Sequence, residues 1–558
     1  MDNKRHLRFY PRLLLSGLVV FFLVGFLKNF YPALWQIVLL TVLLNLFCTF
    51  AFDLILEHAL SLREQWKEKA ILWLTLILGV TLILFTTRLF AQYPEIFSNE
   101  FFLPETGQVV WLLGTTILVQ IGGVFLLYKL EFLDWQNSPF TSWIKHNLPG
   151  ILFAIAVTIA TFVLSTAFTY PGFDNTDNYF DTDASDWVNR LTADVDDLMV
   201  MRPVHPFAFL VFRPLTWLLS IFLNGNKFYA ALLLNSTLGG VCVLLTWLFF
   251  KQRTRNSTYA LLIAALLGLS NSHLTLSIFL ESYMFSAMAL ILFLLLLQRE
   301  EKKLIYLVPA GLLSFGITIT NFAQTCILLF MSHPRIKTIF KYVFLVLVLA
   351  LVLAFFQDVL YPSSDPFYDP ASYSQEKYYR FNIFEEEPQN ILKRANVFGR
   401  AISLFSVVAP RPLILLEEIG CTFPCSMVYY YTTRGEYFIS SYKGFGNIVI
   451  YAWFLLMLFA GGWFAIKFIR SPRSSTLSVA LLLNILFNFI LHMNYGDDPI
   501  LYSPDWTYAI VFFFGISYEE IAGRKWFQII LLVFLSILLF NNLDLFRQIL
   551  DAILPFRS

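Results

Sequence analysis

Charge is what this sequence has least of. Asp, Glu, Lys and Arg make up 14% of its 558 residues, against roughly 25% in a soluble globular protein. The formal net charge is +1, so there is no basic excess to attract nucleic acid, and no nucleic-acid partner is expected. Cysteine is also sparse, with five in all. Cys48, Cys242 and Cys326 fall in apolar stretches, where they read as small buried side chains. Cys421 and Cys425 lie four apart in a polar stretch, which suits a short structural disulfide in an oxidising compartment. Several signatures are missing: a Gly-Lys-Ser/Thr phosphate loop, His-Glu-x-x-His, cysteine pairs at zinc spacing and Gly-x-Ser-x-Gly. Their absence argues against nucleotide-driven transport and zinc hydrolysis, and no metal-ligating residues are assigned. There is no internal repeat, low-complexity run or inter-domain linker, and no soluble segment large enough to carry a function alone.

Apolar residues take the place of charge. They form 58% of the chain, aromatics 18%, and 60 residues are Phe. A soluble core has no use for that much apolar surface, whereas helices facing lipid require it. About 20 mostly apolar residues cross a bilayer. Candidate spans lie at 13–27, 34–56, 70–90, 109–128, 149–169, 228–250, 259–278, 282–297, 304–320, 322–331, 339–360, 447–466, 476–493, 506–518 and 527–545. The fold class that follows is an all-α polytopic membrane protein. The basic start of the chain runs into 13–27 with no small-residue cleavage site after it, the pattern of a signal anchor.

Basic clusters orient the spans. Those around Arg8, Lys67, Lys251, Lys302, Lys337, Arg470 and Lys525 are expected on the cytoplasmic side. Residues 170–226 and 361–446 are then exoplasmic. An odd number of crossings must separate the acidic stretch from Lys251, so 207–223 is expected to lie in the interface, with Arg213 kept from mid-bilayer. Residues 304–331 must cross an even number of times yet are too short for two full spans. They are expected to form broken or re-entrant half-helices meeting around Asn321 and Gln324. The stretch 401–416, interrupted by Pro410 and Pro412, reads as a further interfacial helix. Four parts result: a four-span N-terminal bundle (1–148), a core (149–360) with its first outer loop (170–226), a large outer loop (361–446) and C-terminal spans (447–558). The setting expected is the plasma (inner) membrane of a prokaryote, with membrane lipids as surroundings.

The first outer loop carries the chemistry. Asp174, Asp177, Asp181, Asp183, Asp186, Asp194, Asp196 and Asp197 crowd into it with Arg190 alone to balance them. Carboxylates at a lipid–water boundary suit two jobs, accepting a proton from a hydroxyl or holding a divalent cation. A solvated loop is the simpler reading of Asp194, Asp196 and Asp197. A calcium-binding hand is excluded, because counting from Asp181 puts Asp186 at the sixth position and Thr192 at the twelfth, where Gly and Glu are needed. Further along come Arg202-Pro203-Val204-His205-Pro206, an apolar segment, Asn224-Gly225-Asn226 and a span ending in basic residues.

That layout resembles the GT-C superfamily of membrane glycosyltransferases, nearest to its protein O-mannosyltransferase and aminoarabinose transferase branch. Phe207 stands where a His-Pro-Pro-Leu-type motif has its second Pro. The resemblance is good over 149–297 and general elsewhere. It implies a multi-span helical bundle with interfacial helices in its outer loops. It also implies transfer of a sugar from a polyprenyl-phosphate donor to an acceptor hydroxyl on a glycan, lipid or protein. The general base then falls on Asp174 or Asp177, with a single inverting displacement. Substrate contacts are expected from Arg202, His205 and Arg213, which suit the lipid phosphate, and from Glu281, His492 and Tyr502. No cofactor is assigned beyond the lipid-linked sugar itself, with a divalent metal the open alternative. A transporter or flippase of a lipid-linked or anionic substrate is the rival reading, and a lipid-linked glycan polymerase or ligase a further one.

Overall fold

The computed structural model describes residues 3–63, 66–97, 99–131, 138–298, 303–415, 424–431 and 437–556. The protein is an all-α polytopic membrane protein. Its helices are α1 (Asn3–Leu27), α2 (Leu34–Arg63), α3 (Trp66–Gln92), the short α4 (Pro94–Phe97) and α5 (Asn99–Phe102), α6 (Thr106–Glu131), α7 (Pro139–Phe168), α8 (Ala184–Thr192), α9 (Ala208–Ile221), α10 (Lys227–Thr254), α11 (Ser257–Leu269) and α12 (Asn271–Ile278). Then follow α13 (Tyr283–Gln298), α14 (Leu304–Ile317), α15 (Ile319–Ser332), α16 (Ile336–Leu360), α17 (Pro388–Arg400), α18 (Phe445–Arg470), α19 (Thr476–Asn494), α20 (Pro504–Ser517) and α21 (Lys525–Ile553). Two antiparallel pairs are the only sheets among the described residues: β1 (Leu413–Leu415) with β2 (Cys425–Met427), and β3 (Tyr429–Tyr431) with β4 (Tyr437–Ile439).

Nine helices among the described residues are long and apolar enough to cross a membrane, or ten if the bent pair α11–α12 is one span. Their outward faces are apolar: Phe340 and Phe344 on α16 are 71% and 65% exposed. Such faces need a bilayer, since soluble proteins do not tolerate apolar patches of this extent. The helix starts follow local chemistry. The Ser138 hydroxyl accepts from Thr141 N with Pro139 in the first turn, and the Asn226 and Asn256 side chains accept from Tyr229 N and Tyr259 N. At the centre α7, α10 and α11 press together through small residues. A Cβ at Gly150 would run into the Trp247 ring, and one at Gly240 into Thr158.

The basic clusters at 251–255 and 467–473 meet at one end of the bundle. There Arg253 pairs with Glu519 at 2.5 Å, and Lys467 bridges Glu519 and Glu520, tying α10, α18 and the end of α20. The opposite end carries the acidic loop. α9 (Ala208–Ile221) covers the expected interfacial segment, with Trp217 and Phe222 exposed.

Three features differ from the sequence expectation. First, the described part of 401–416, residues 401–415, is no interfacial helix. Residues 401–405 form a π turn, and Phe405–Ala409 then run buried into the bundle. Pro410 and Pro412 prevent a helix from continuing, and the freed carbonyls have partners waiting. α11 and α12 are bent by 56°, and the exposed start of α12 is filled from this segment: Asn271 N donates to Val407 O at 3.0 Å and Ser272 N to Ser406 O at 2.9 Å. Asn542 donates to both Leu269 O and Val407 O. Second, the half-helices α14 and α15 meet at Thr318, and Asn321 and Gln324 sit inside α15. The 204–207 turn satisfies the break: Phe207 N donates to Gly316 O, Ile319 N to Val204 O, and His205 Nδ1 meets Ile317 O at 2.5 Å. Third, the expected boundary at 148/149 falls within α7, and α3 packs on α7, α11 and α21 rather than with the other early helices. α1, α2 and α6 form their own small apolar cluster around Val20, Val24, Ile37, Cys48 and Leu112, with a buried Arg12–Asp53 pair at 3.3 Å. Cys425 is disulfide-bonded, while Cys48, Cys242 and Cys326 are free; Cys421 lies outside the described residues.

Candidate functional site

The acidic loop is pinned from below and above. Asn175 anchors its start, with Nδ2 donating to Phe168 O and Thr169 Oγ1. Phe180 N donates to Ser426 O and Ser426 N to Asn178 O, so β2 clamps its middle. Asp177, Phe180 and Asp181 all have left-handed backbones, with φ of 62°, 57° and 58°. Aspartate tolerates that region, but for Phe it is costly. The surroundings hold Phe180 there: it is 1% exposed and its ring packs on Phe279. Strain held this way is a feature of functional loops.

The loop faces a buried carboxylate from another element. Glu281, in the turn between α12 and α13, is 3% exposed. Its Oε1 accepts from Asp183 N at 2.6 Å and its Oε2 from Ser282 N. Burial first, and the Asp183 charge second, push its carboxyl well above the usual range. Asp177 is open to solvent, yet partial desolvation, then the charges of Asp183, Asp186 and Asp174, raise its carboxyl to about 6. Asp181 is raised to about 7 by burial and by Asp177, Asp183 and Asp497. Asp498, buried in the 495–503 loop, is also raised by burial and by Asp181, although it accepts from Ile500 N at 2.7 Å. Among the described residues no three His, Cys, Asp or Glu side chains are arranged to hold a metal ion.

A cationic clamp borders these acids. Arg202 grips Glu376 with Nε–Oε1 at 2.8 Å and Nη2–Oε2 at 2.6 Å, and Nη2 also donates to Tyr495 Oη at 2.7 Å. The Tyr495 hydroxyl donates to Glu376 Oε2 at 2.5 Å. The guanidinium lies 4.2 Å from the Tyr379 ring centre. Burial opposes the charge on Glu376, but the Arg202 and Tyr495 hydrogen bonds outweigh it and hold the carboxyl below its usual range. Gly496 N donates to Tyr379 O at 2.9 Å, so the loop that carries Tyr495, Asp498 and Tyr502 ties the clamp to the turn of Glu281. Tyr502 closes the floor, edge-on to Tyr283 and stacked on His492 at 4.3 Å.

Of the residues expected from sequence, Asp177, Arg202, Glu281 and Tyr502 converge here. Asp174 does not contribute in the same way. It is exposed, and its Oδ1 accepts from Thr176 N at 3.0 Å in a local turn that lowers its proton affinity. His205 lies beneath the clamp as the staple of the α14–α15 break. Burial pushes its imidazole down to about 4, so it is neutral near pH 7 and brings no charge to a phosphate. Arg213 sits at the far end of α8, donating to Arg190 O and Ala193 O. There, with Lys227, Trp217 and Tyr361, it lines a separate cavity of about 320 Å³. His492 is interior, 3% exposed among Phe398, Tyr502 and Trp506.

Sequence reasoning passed over Asp181, Asp183, Asp498, Glu376 and Tyr495. Asp181 and Asp183 stood in the acidic run with nothing to separate them from their neighbours. The other three come from loops 180 to 320 positions away, and no local pattern marks them. No protein-family model, curated protein or solved structure matches this chain.

Proposed function

We propose that this chain is an integral membrane glycosyltransferase of the GT-C type. In this reading it moves a sugar from a polyprenyl-phosphate donor to an acceptor hydroxyl at the acidic-loop end of the bundle. The observation that carries the proposal is Asp177, a solvent-reaching carboxylate with a proton affinity near neutrality, beside a cluster of buried acids and one clamped arginine. A base with a pKa close to ambient pH suits a hydroxyl nucleophile. The acceptor O–H gives its proton to Asp177 as its oxygen bonds to the anomeric carbon. The bond from that carbon to the phosphate oxygen breaks, and its electron pair leaves with the lipid phosphate. Attack opposite the leaving group inverts the anomeric centre. Arg202 Nη1, which takes no part in the Glu376 clamp, faces the departing phosphate. Glu281 acts by holding Asp183 N, and with it the loop geometry.

The rival is transport or flipping of an anionic or lipid-linked substrate, which the broken helices would favour. In a transporter the broken helix ends face the substrate. Here the start of α12 is filled by Ser406 O and Val407 O, and the α14–α15 break by the 204–207 turn. That packing supports an enzyme.

The test is transfer from a panel of radiolabelled polyprenyl-phosphate sugars by purified protein, followed against pH. Because the Asp177 pKa is raised to about 6, the carboxyl stays protonated below that pH and the active base appears as pH rises through it. Activity should fall about tenfold per unit on the acidic side. Asp183→Asn removes the charge that contributes most after desolvation, so the limb should move to lower pH. A profile flat from pH 5 to 8, or a limb unmoved by Asp183→Asn, would count against Asp177.

We further propose that this end is exoplasmic, in a prokaryotic plasma membrane, because the basic clusters at 251–255 and 467–473 meet at the other. An impermeant thiol reagent should label Asp196→Cys and Ser374→Cys, both at exposed positions, in intact cells. Ser474→Cys, exposed at the basic end, should react only after permeabilisation. The reverse pattern would invert the topology.

A further inference from the structure

A second charged site lies at the far end of α8. The acids of the candidate site stand at the start of this helix, with Asp183 before it and Asp186 in its first turn. Nine residues of helix run about 13 Å, and the opposite end is held by cations. Arg213 Nη1 donates to Arg190 O at 2.8 Å and Nη2 to Ala193 O at 2.7 Å, while Lys227 Nζ reaches Thr192 O at 3.5 Å. With Leu191, Pro214, Trp217 and Tyr361, the two cations line the cavity of about 320 Å³, a volume at the lower end for small-ligand sites.

Three elements fix the depth of this cavity. Lys227 is the first residue of α10, which runs from here to the basic cluster at Arg253. Tyr361 directly follows the last residue of α16, whose Val359 and Leu360 are exposed. α9, with 14 residues, is about 21 Å long and too short to cross a hydrocarbon core of about 30 Å. Its Leu218 and Ile221 are exposed as well. The cavity thus sits where two spans leave the hydrocarbon, beside a short helix with an apolar outer face. Trp217 and Tyr361 are of the residue types that collect at headgroup level.

The charge there is not balanced. Among the described residues Arg213 forms no ion pair, and its two carbonyl bonds use two of its five N–H donors. Lys227 has Asp194 Oδ1 at 3.6 Å, but that side chain is 88% exposed, so the pair is weak. Two cations and one solvated carboxylate leave one positive charge. Capping of α8 accounts for where the cations stand. It supplies carbonyl dipoles but no counter-charge.

We propose that this cavity binds the phosphodiester headgroup of an anionic membrane phospholipid, with its acyl chains against α9 and α16. One phosphodiester carries one negative charge, and the guanidinium offers paired donors to its oxygens. The proposed reaction assigns its phosphate to Arg202, so this site is independent of the glycosyltransferase reading and its test needs no sugar.

Full-length protein in a non-ionic detergent is titrated with phosphatidylglycerol, with phosphatidylcholine of the same acyl chains as the reference, and native mass spectrometry counts the lipids bound. The first phosphatidylglycerol should bind about tenfold tighter than the first phosphatidylcholine. Arg213→Gln should remove that preference, and Lys227→Gln should weaken phosphatidylglycerol by about fivefold. Arg411→Gln, at an exposed position beside the start of α18, should change neither. If Arg213→Gln does not fold, Lys227→Gln and the wild-type preference still decide. Equal affinity for the two lipids overturns the proposal. So does a preference that survives both substitutions, or one that falls equally with Arg411→Gln, which would assign it to diffuse surface charge. Displacement of the lipid by millimolar inorganic phosphate, or by an equimolar polyprenyl phosphate, also overturns it, since the cavity would then serve a free anion or the donor.

Discussion

Asp177→Asn is expected to lower turnover by about two to four orders of magnitude, the range for loss of a general base. The substitution keeps the size of the side chain and tolerates the left-handed backbone at φ 62°. What it removes is the proton acceptor. Donor affinity should change little, because the proposed partner of the phosphate is Arg202 and not this carboxylate. Asp174→Asn provides the contrast. Its carboxylate accepts from Thr176 N, a role the Asn oxygen can keep, so a fewfold loss at most is expected. Asp196→Asn, exposed and far along the loop, should be silent. Equal losses in all three would mean that the loop acts through bulk charge. Full activity in Asp177→Asn would move the search for the base to Asp181, the next carboxylate raised towards neutrality.

Arg202→Met should destabilise the protein by about 3 kcal/mol, the lower end of the range for breaking a buried ion pair. The lower end applies because the Arg202 side chain is 23% exposed, whereas that of Glu376 is only 4% exposed. The damage comes mainly from what is left behind, a buried carboxylate with Tyr495 as its remaining donor. The clamp also joins three segments, the 194–207 stretch, the 3-10 helix Pro370–Lys377 and the loop after α19. Adding Glu376→Leu to Arg202→Met removes the stranded charge and should recover most of the stability. It should not recover transfer, because the cation proposed to face the phosphate is still missing. Thermal melts of the two single variants and the double form a cycle that isolates the pair. A double variant no more stable than Arg202→Met would show that the clamp is not held by charge, and one that regains transfer would remove Arg202 from the phosphate.

Composition and hydrophobic run length were enough to determine the class of this protein, because a bilayer forces backbone polar groups into helices and leaves apolar side chains outward. Fifteen candidate spans were readable in this way, and most coincide with helices, while α9 (Ala208–Ile221) falls on the separate segment 207–223. The break within 304–331 was likewise legible, since a stretch with basic residues at both ends and too short for two full spans left half-helices as the solution, and α14 and α15 divide it at Thr318. The acidic loop was visible as an unbalanced run of Asp.

Tertiary structure alone separated those acids from one another. Asp174 and Asp177 are three residues apart and look alike in sequence, yet a local hydrogen bond lowers the proton affinity of one, and desolvation followed by neighbouring carboxylates raises that of the other. His205 reads as a phosphate ligand by its neighbours in the chain, but the fold spends it on Ile317 O. Arg213 is close to Arg202 in sequence and is carried to the opposite end of α8. Segment 401–416 reads as an interfacial helix, but the open end of a broken helix draws the Ser406 and Val407 carbonyls inward. In each case a polar group's partner lies far away along the chain. Period and composition record which residues leave water, but not which partner a buried polar group finds.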